Sequence, residues 1–300
     1  MRNSSSLFTR VRFLQTARKQ LENKHFKRAK FQALLLRAAV YLAAAITAGV
    51  LLFVVGYILV KGVPHLSWSL FEWRYNSENV SLMPALLNTL FMTLLALSFS
   101  VPLGVFAAIY LVEYARRGSR LVRVIRMNAE TLSGIPSIVY GLFGMLFFVN
   151  TLKLGLSMLS GALTLSIMIL PLILRTAEEA LLSVPDSFRE GSFGLGAGRL
   201  RTVFRVVLPD AVPGILAGVI LGVGRIVGET AALIYTAGTA SDTVSGLFDS
   251  ARTLSVHMYA LSQEGLYIDQ TYATAVVLLV IVIGINALSS MIAKRVGRRL

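Results

Sequence analysis

The chain has 300 residues, of which 55% are hydrophobic and 15% are charged, and its formal net charge is +14. This composition is too apolar and too poor in charge for an ordinary soluble domain, so it indicates a protein that lies in a lipid bilayer. In a soluble chain the basic excess would suggest nucleic-acid binding. In a membrane protein it reflects Lys and Arg that flank the spans and attract anionic lipids, and we expect no nucleic-acid partner.

Uncharged apolar runs recur along the chain, and about 20 apolar residues are enough for a helix to cross a bilayer. A further apolar stretch, 211–241, is interrupted only by Arg225 and Glu229, and ionisable residues inside a span usually carry function. We therefore predict an all-α polytopic membrane protein with six transmembrane helices. The five uninterrupted runs are 38–60, 79–112, 131–152, 154–174 and 270–293.

Lys and Arg are distributed unevenly, and in membrane proteins they gather in cytoplasmic segments near helix ends. Segments 61–82 and 237–269 contain few of them, whereas the N-terminal tail, segment 113–128 and the C-terminus are rich in them. This asymmetry predicts that both termini lie in the cytoplasm. The basic residues of segment 113–128 are Arg116, Arg117, Arg120, Arg123 and Arg126.

Three regions follow from these boundaries. Residues 1–37 are predicted to form a basic cytoplasmic tail, residues 38–295 the transmembrane domain, and residues 296–300 the cytoplasmic C-terminus. For the tail, an interfacial amphipathic helix and a disordered basic segment both stay open. The helix is suggested by the spacing of Leu7, Val11, Leu14 and Leu21.

Several residue types and motifs are absent or scattered. The chain has no Cys, which excludes disulfides and thiolate metal sites. His25, His65 and His257 fall in the tail and two exterior loops, where we expect surface residues, so no metal site and no catalytic residue is predicted. No Gly-x-x-x-x-Gly-Lys-Ser/Thr phosphate loop occurs, so we expect this chain to bind no cofactor and to take its energy from a gradient or a partner.

Residues 185–209 carry the most specific pattern of the sequence. The spacing from Glu190 to Pro209 resembles the cytoplasmic coupling loop E-A-A-x3-G-x9-I-x-L-P of ABC importer permeases. Gly191 and Ser192 stand where that motif has alanines, and Val206 stands for its isoleucine. The resemblance implies ATPase coupling through Glu190, Gly191, Ser192, Gly196, Leu208 and Pro209.

The local chemistry of residues 185–209 predicts two short helices around a glycine turn. Pro185 suits the first turn of a helix, and Gly196 and Gly198 can adopt the left-handed conformation that ends one. An ordinary amphipathic connector between spans is the alternative. The second helix is expected to have one apolar stripe of Leu200, Val203, Phe204 and Val207, with Arg199, Arg201 and Arg205 largely off it.

Four further motifs resemble the permeases of phosphate ABC importers, and segments 233–237 and 254–256 resemble the PstA type more than its PstC partner. The resemblance covers roughly residues 80–295 and implies the type I importer permease (MetI-like) architecture, in the bacterial plasma (inner) membrane. It also implies a second related permease (PstC-like), two ATP-binding subunits (PstB-like) that hold ATP and Mg, and an external phosphate-binding protein (PstS-like). The assembled complex would be a phosphate-transporting ATPase. The motifs are Asn88-Thr89-Leu90, Pro102-Leu103-Gly104, and the segments 136–142 and 224–230.

Arg225 and Glu229 are the predicted centre of the substrate path, a role that the resemblance implies. Four residues apart on one helix, they would share a face and each would lower the cost of the other's charge. Arg225 can bind phosphate through two parallel hydrogen bonds, and Glu229 can orient it or accept a proton from hydrogen phosphate. A purely structural ion pair is the alternative. Thr230 and Ser137 complete the predicted path, Ser137 through polar groups at a helix start.

Glycines at intervals of four, Gly214, Gly218 and Gly222 on one face and Gly224 and Gly228 on another, predict close helix approach, and one of these faces is expected to meet the partner permease.

Other function classes remain open. An ABC permease for another oxyanion, such as phosphonate, sulfate or molybdate, would keep the coupling loop, but segment 224–230 favours phosphate. A non-transporting membrane scaffold or sensor subunit would need neither the charged pair nor the loop. A gradient-driven carrier has no use for the loop either.

Overall fold

The computed structural model describes the backbone of residues 4–116 and 118–296. Side chains are described for residues 32–116, 118–288, 290 and 291. Every regular element within these residues is a helix, which confirms the all-α prediction. The side chains of the predicted amphipathic tail, Arg117 and the C-terminal residues 297–300 lie outside the described residues.

The chain divides into two compact units, residues 1–58 and 59–300. The first unit lies within helix α1 (Ser4–Gly62), and its side chains from 32 to 54 are all exposed, as expected of an apolar helix that faces lipid. The helices of the second unit are α2 (Met83–Ile109), α3 (Arg120–Ser133), α4 (Ser137–Gly144), α5 (Met158–Ser183), α6 (Asp186–Gly194), α7 (Arg199–Thr202), α8 (Leu208–Val227), α9 (Ala231–Thr236), α10 (Leu254–Glu264) and α11 (Ile268–Val296).

Among the described residues, five helical segments are long and apolar enough to cross a membrane, and a bent pair supplies a sixth if it counts as one span. This agrees with a multi-pass protein. The bent pair joins α3 to α4 and its π-helical extension at 103°. The five segments are Gln32–His65, Met83–Tyr114, Met158–Ser183, Arg199–Val227 and Ile268–Leu288.

The bend between α3 and α4 divides the run 131–152, which the sequence analysis treated as one span. Helix α3 ends at Ser133, Gly134 caps it, and Pro136 precedes α4. A proline disfavours helical geometry in the residue before it, so Ile135 cannot readily continue α3. The apolar length of the run 131–152 therefore predicted a membrane segment here but not the bend between α3 and α4.

Helix α5 is the centre of the second unit and runs parallel to α2. Ser166 Oγ donates a hydrogen bond to the Ala96 carbonyl over 2.9 Å. Further along both helices, a Cβ added to Gly104 would lie 2.7 Å from Ile173 Cγ2, so the two backbones approach closely. This packing gives α5 its buried surroundings along most of its length.

Helix α8 runs antiparallel to α5 through the predicted glycine stripe. The close approach is confirmed, since a Cβ on Gly214 would lie 2.7 Å from Ala180 Cβ. The stripe is occupied by α5 of the same chain and is not a face left free for a partner permease. The facing residues are Gly214 with Ala180, Gly218 with Thr176, and Gly222 with Ile173.

The second unit has two distinct ends. At one end, called the far end, Asn88 of α2 holds the segment between α9 and α10. Its Nδ2 donates hydrogen bonds to the carbonyls of Asp242 (3.0 Å) and Arg252 (3.2 Å). Its Oδ1 accepts a hydrogen bond from Val244 N (3.1 Å). At the opposite end, called the hairpin end, α6 and α7 lie between the close of α5 and the start of α8. The Asn88 side chain therefore needs both the donor and the acceptor of an amide to hold the far-end segment.

His257 in α10 is 1% exposed, so the expectation of a surface residue is wrong for this histidine. Its ring meets Tyr75 edge-on, with the centroids 5.9 Å apart. Burial, and secondly the charge of Arg252, lower the pKa of His257 to about 4, so the ring is neutral at pH 7. The tertiary packing of α10 produces this burial, and a lone histidine in an exterior segment gives no sign of it.

The α5–α8 contact can be tested with two matched glycine changes on α8. Gly218→Ala should destabilise the protein, because the new Cβ would come within 2.5 Å of Thr176 Cβ, and such overpacking typically costs about 1–3 kcal/mol. Gly224→Ala should be neutral or stabilising, because nothing lies within 4 Å of that position. The measurement is thermal unfolding in detergent together with abundance in the membrane. Equal stability of the two variants would contradict this packing.

Candidate functional site

Helices α6 and α7 form a short hairpin, residues 186–202, as the sequence predicted. The turn lies at Gly196, whose φ of +83° is a left-handed conformation that side chains rarely adopt. Gly198 has a φ of −75°, so only one of the two glycines is left-handed. The hydroxyls of Ser192 and Thr202 lie 2.8 Å apart and join the two arms. The predicted coupling residues Ser192 and Gly196 thus shape the hairpin.

The outward surface of the hairpin carries exposed apolar side chains. Leu195 at the tip is 91% exposed. Glu190 and Gly191 are exposed beside it, and nothing lies within 4 Å of a Cβ built on Gly191. Contiguous exposed apolar residues mark contact surfaces, and the sequence motif did not identify these. The other large ones are Phe188, Phe193 and Leu200.

The predicted apolar stripe is split between the bundle and the surface. Val203 and Val207 are fully buried, whereas Leu200 and Phe204 are exposed. Residues Val203–Val207 form a π-helical turn, which changes the side-chain spacing that an α-helix would give. Leu208 and Pro209 begin α8 and are not part of the hairpin itself. Leu208 is partly buried against the bundle, whereas Pro209 is exposed.

Arg225 and Glu229 do not share a helix face, so that expectation is wrong. Helix α8 ends at Val227, and Glu229 lies in the link to α9. Its Oε1 accepts a hydrogen bond from Ala232 N over 3.0 Å, and Ser255 Oγ donates to its backbone carbonyl over 2.5 Å. Glu229 is 8% exposed. Its carboxylate therefore caps the start of α9, where an acceptor is favoured.

Arg225 instead lines a cavity of about 380 Å³ between α3, α5 and α8. The cavity contains charges of both signs: Arg126 pairs with Glu178, and Arg175 Nε lies 3.0 Å from Glu179 Oε1. Among the ion pairs of the described residues, none joins Arg225 to Glu229. Sequence reasoning missed these wall residues, although the i,i+4 spacing of Arg175 and Glu179 was a usable signal.

Ser137 and Thr230 lie at the starts of two short helices that pack side by side. Ser137 opens α4 and Thr230 precedes α9, and a Cβ added to Gly141 would lie 2.8 Å from Ala232 Cα. The structure thus gathers the four predicted path residues around two adjacent helix breaks. Irregular backbone inside a membrane bundle is usual where it lines a cavity.

Within the described residues, no group of three or more His, Asp or Glu side chains is placed to hold a metal ion.

Known proteins resemble this chain in sequence. Residues 100–300 match the family described as binding-protein-dependent transport system inner membrane component. The chain is 34% identical to the probable ABC transporter permease protein YqgI of Bacillus subtilis over 76% of its own length and 82% of that protein. It is also 34% identical to the phosphate transport system permease protein PstA of Pasteurella multocida, over 72% of this chain and 78% of that protein.

Solved structures share the fold. A bacterial alginate ABC transporter in complex with its alginate-bound periplasmic protein contains a chain with a TM-score of 0.58 at 17% identity, over 84% of this chain and 94% of that one. The inward-facing MetNI methionine ABC transporter gives a TM-score of 0.55 at 20% identity, over 80% and 96%.

These likenesses confirm the importer-permease architecture and the resemblance to PstA-type permeases. They also confirm a transport subunit that has no ATPase site of its own, since the relatives are named permease proteins. The match of the family over two thirds of the sequence identifies the chain as a member of the binding-protein-dependent transport system inner membrane component family.

Proposed function

We propose that this chain is a membrane subunit of an ATP-driven importer that moves inorganic phosphate inward by alternating access. The observation that carries the proposal is the position of Arg225, which brings a permanent positive charge to a cavity beside two adjacent helix breaks. An arginine can bind a phosphate through two parallel hydrogen bonds. The relatives named phosphate transport system permease support phosphate over other oxyanions.

The partners in this proposal follow the importer plan. A related permease (PstC-like) completes the path, two ATPase subunits (PstB-like) bind ATP and Mg and receive the hairpin, and an external protein (PstS-like) delivers phosphate at the far end. The exposed apolar surface around Leu195 supports a docking role for the hairpin. Lipids surround the bundle, which belongs in the bacterial plasma membrane.

One continuous helical segment, Arg199–Val227, connects the hairpin to Arg225. At a rise of about 1.5 Å per residue, the two arginines at positions 199 and 225 lie roughly 40 Å apart along it. Movement of the hairpin when the ATPases close would therefore be carried to the cavity by a single helical segment. Glu229 contributes by fixing the start of α9 beyond the break.

The anion site is tested by two isosteric changes. Arg225→Gln should give an assembled complex with phosphate uptake near background, because an amide fills the space of a guanidinium but supplies no charge. Glu229→Gln should keep most of the uptake, because its amide oxygen can still accept from Ala232 N. Labelled phosphate uptake is measured alongside subunit abundance, with sulfate and molybdate as competitors. Wild-type uptake by Arg225→Gln would refute the anion role.

Orientation belongs to the proposal as well: both termini and the hairpin face the cytoplasm, and the far end faces outward. The chain has no Cys, so a single introduced cysteine reports one position. Ser245→Cys should react with an impermeant thiol reagent in intact cells, whereas Ser187→Cys should react only after the membrane is opened. Both residues are exposed in the folded chain. The reverse pattern would place the hairpin outside and remove the basis for ATPase docking.

The hairpin turn can be tested at Gly196. Gly196→Val should uncouple ATP hydrolysis from uptake, because its φ of +83° costs a β-branched residue about 1–2 kcal/mol while no neighbouring atom lies within 4 Å. Gly196→Asn should retain coupling, because asparagine tolerates the left-handed region. Uptake per ATP hydrolysed is measured in proteoliposomes that contain the whole complex. Equal coupling ratios for the valine and asparagine variants would contradict the role of this turn.

A further inference from the structure

Both arms of the hairpin reach the same short turn at the end of α2. Residues Tyr110–Tyr114 form a π-helical turn that continues α2. Arg189 of α6 contacts Glu113, and Arg199 of α7 contacts Tyr114. The chain connects the hairpin directly only to α5 and α8, so these contacts are a third connection that sequence order does not supply.

The contact between Arg189 and Glu113 is a nearly buried ion pair. Arg189 Nη2 and Nε donate to Glu113 Oε1 over 2.8 and 3.1 Å. The two side chains are 13% and 8% exposed. A buried pair of this kind tolerates little displacement, because separating the partners leaves charges without water or a counterion.

Arg189 also binds the end of α5. Its Nη1 donates to the Val184 carbonyl over 2.7 Å and its Nη2 to the Leu181 carbonyl over 2.9 Å. These carbonyls belong to the last turn and cap of α5, where no helical N–H is available. One guanidinium therefore joins α6, α5 and the end of α2. A lysine could replace the charge but not this planar set of donors.

The second arm adds a contact of a different kind. The Arg199 guanidinium lies 5.9 Å from the centroid of the Tyr114 ring, within the range of a cation–π interaction. Tyr114 directly follows Glu113, so the two arginines hold adjacent residues of the π-helical turn. Elsewhere at this end, α2 meets α5 and α8 through apolar contacts such as Ala108 and Leu111. Apolar contacts are non-directional, whereas the arginine contacts fix the position of the turn.

We propose that Arg189 and Arg199 are positioning residues that clamp the end of α2 to the hairpin, so that hairpin movement is delivered to α2 together with α5 and α8. This inference rests on the proposed function of the hairpin as the ATPase docking element. Without the clamp, α5 and α8 would follow the ATPases and α2 would slide behind them. The substrate path would then open incompletely at a normal rate of ATP hydrolysis.

The test uses the whole complex in proteoliposomes and measures phosphate uptake per ATP hydrolysed. Arg189→Gln should lower this ratio severalfold, because a neutral amide cannot hold Glu113 and both α5 carbonyls at once. Tyr114→Leu should lower it and Tyr114→Phe should not, because phenylalanine keeps the ring face. Glu113→Gln keeps an acceptor oxygen and should give an intermediate ratio. Arg123→Gln, an exposed arginine on α3, is the matched control and should leave the ratio unchanged.

A distance measurement separates a clamp from general support of the fold. Spin labels at cysteines introduced for Ser187 on α6 and Leu103 on α2, both exposed, report the separation of the two elements. In the otherwise unaltered complex this distance should be the same with and without ATP. In Arg189→Gln it should change when ATP binds. If Arg189→Gln only disordered the fold, the distribution of this distance would broaden to the same extent with and without ATP.

The outcomes are distinct. A wild-type ratio in both Arg189→Gln and Tyr114→Leu, or an unaltered distance in both nucleotide states of Arg189→Gln, overturns the clamp. If Arg189→Gln fails to assemble, the Tyr114 pair decides, since Tyr114 lies at the surface and equal ratios for Leu and Phe overturn it. If the unaltered complex takes up no phosphate, the proposed function fails, and the distance measurement still decides the clamp.

Discussion

A chain that crosses a bilayer must satisfy its own backbone polar groups wherever a helix stops, because hydrocarbon offers no water to bind them. Helix α5 shows how this is done at both ends. Its first N–H groups, from Met158 and Leu159, donate to the carbonyls of Asp249 and Leu247. Its last turn accepts from Arg189. The loops and side chains at the two ends of the bundle are therefore held by the ends of its central helix.

The same need to pair backbone polar groups explains why polar residues occur in apolar stretches. Glu229 lies in an apolar run long enough to span the membrane, and its position four residues after Arg225 suggests an ion pair. The carboxylate instead caps α9 after a break. Asn88 likewise serves three backbone groups of the far-end segment. Arg225 differs from both, because it lines the cavity between α3, α5 and α8.

The hairpin combines a fixed base with an exposed tip. Its base is held by Arg189, by the Ser192–Thr202 contact and by buried Val203 and Val207. Its tip presents Leu195 and the neighbouring apolar side chains. A rigid base is what allows a force on the tip to reach the bundle, and the continuous segment Arg199–Val227 extends that connection to Arg225. The proposed docking surface and the cavity at Arg225 are thus joined by one helical segment.

The sequence by itself determined the class of the protein and the place of its hairpin. Apolar length gave the approximate position of the spans, because bilayer thickness sets that length. The glycine at position 196 and the spacing of 190–209 fixed the hairpin, because a left-handed turn nearly requires glycine. Four-residue glycine spacing predicted close packing on α8, since such spacing aligns residues on one helix face.

Only the tertiary structure decided which groups meet. It broke the run 131–152 at Pro136, ended α8 before Glu229, and buried His257 against Tyr75. It brought Arg189 to Glu113 across 76 residues of sequence. Hydrophobic periodicity reports whether a residue faces lipid or protein, but it carries no information on which helix lies opposite or on where an unpaired N–H or carbonyl must be capped. Those choices depend on how the helices pack together.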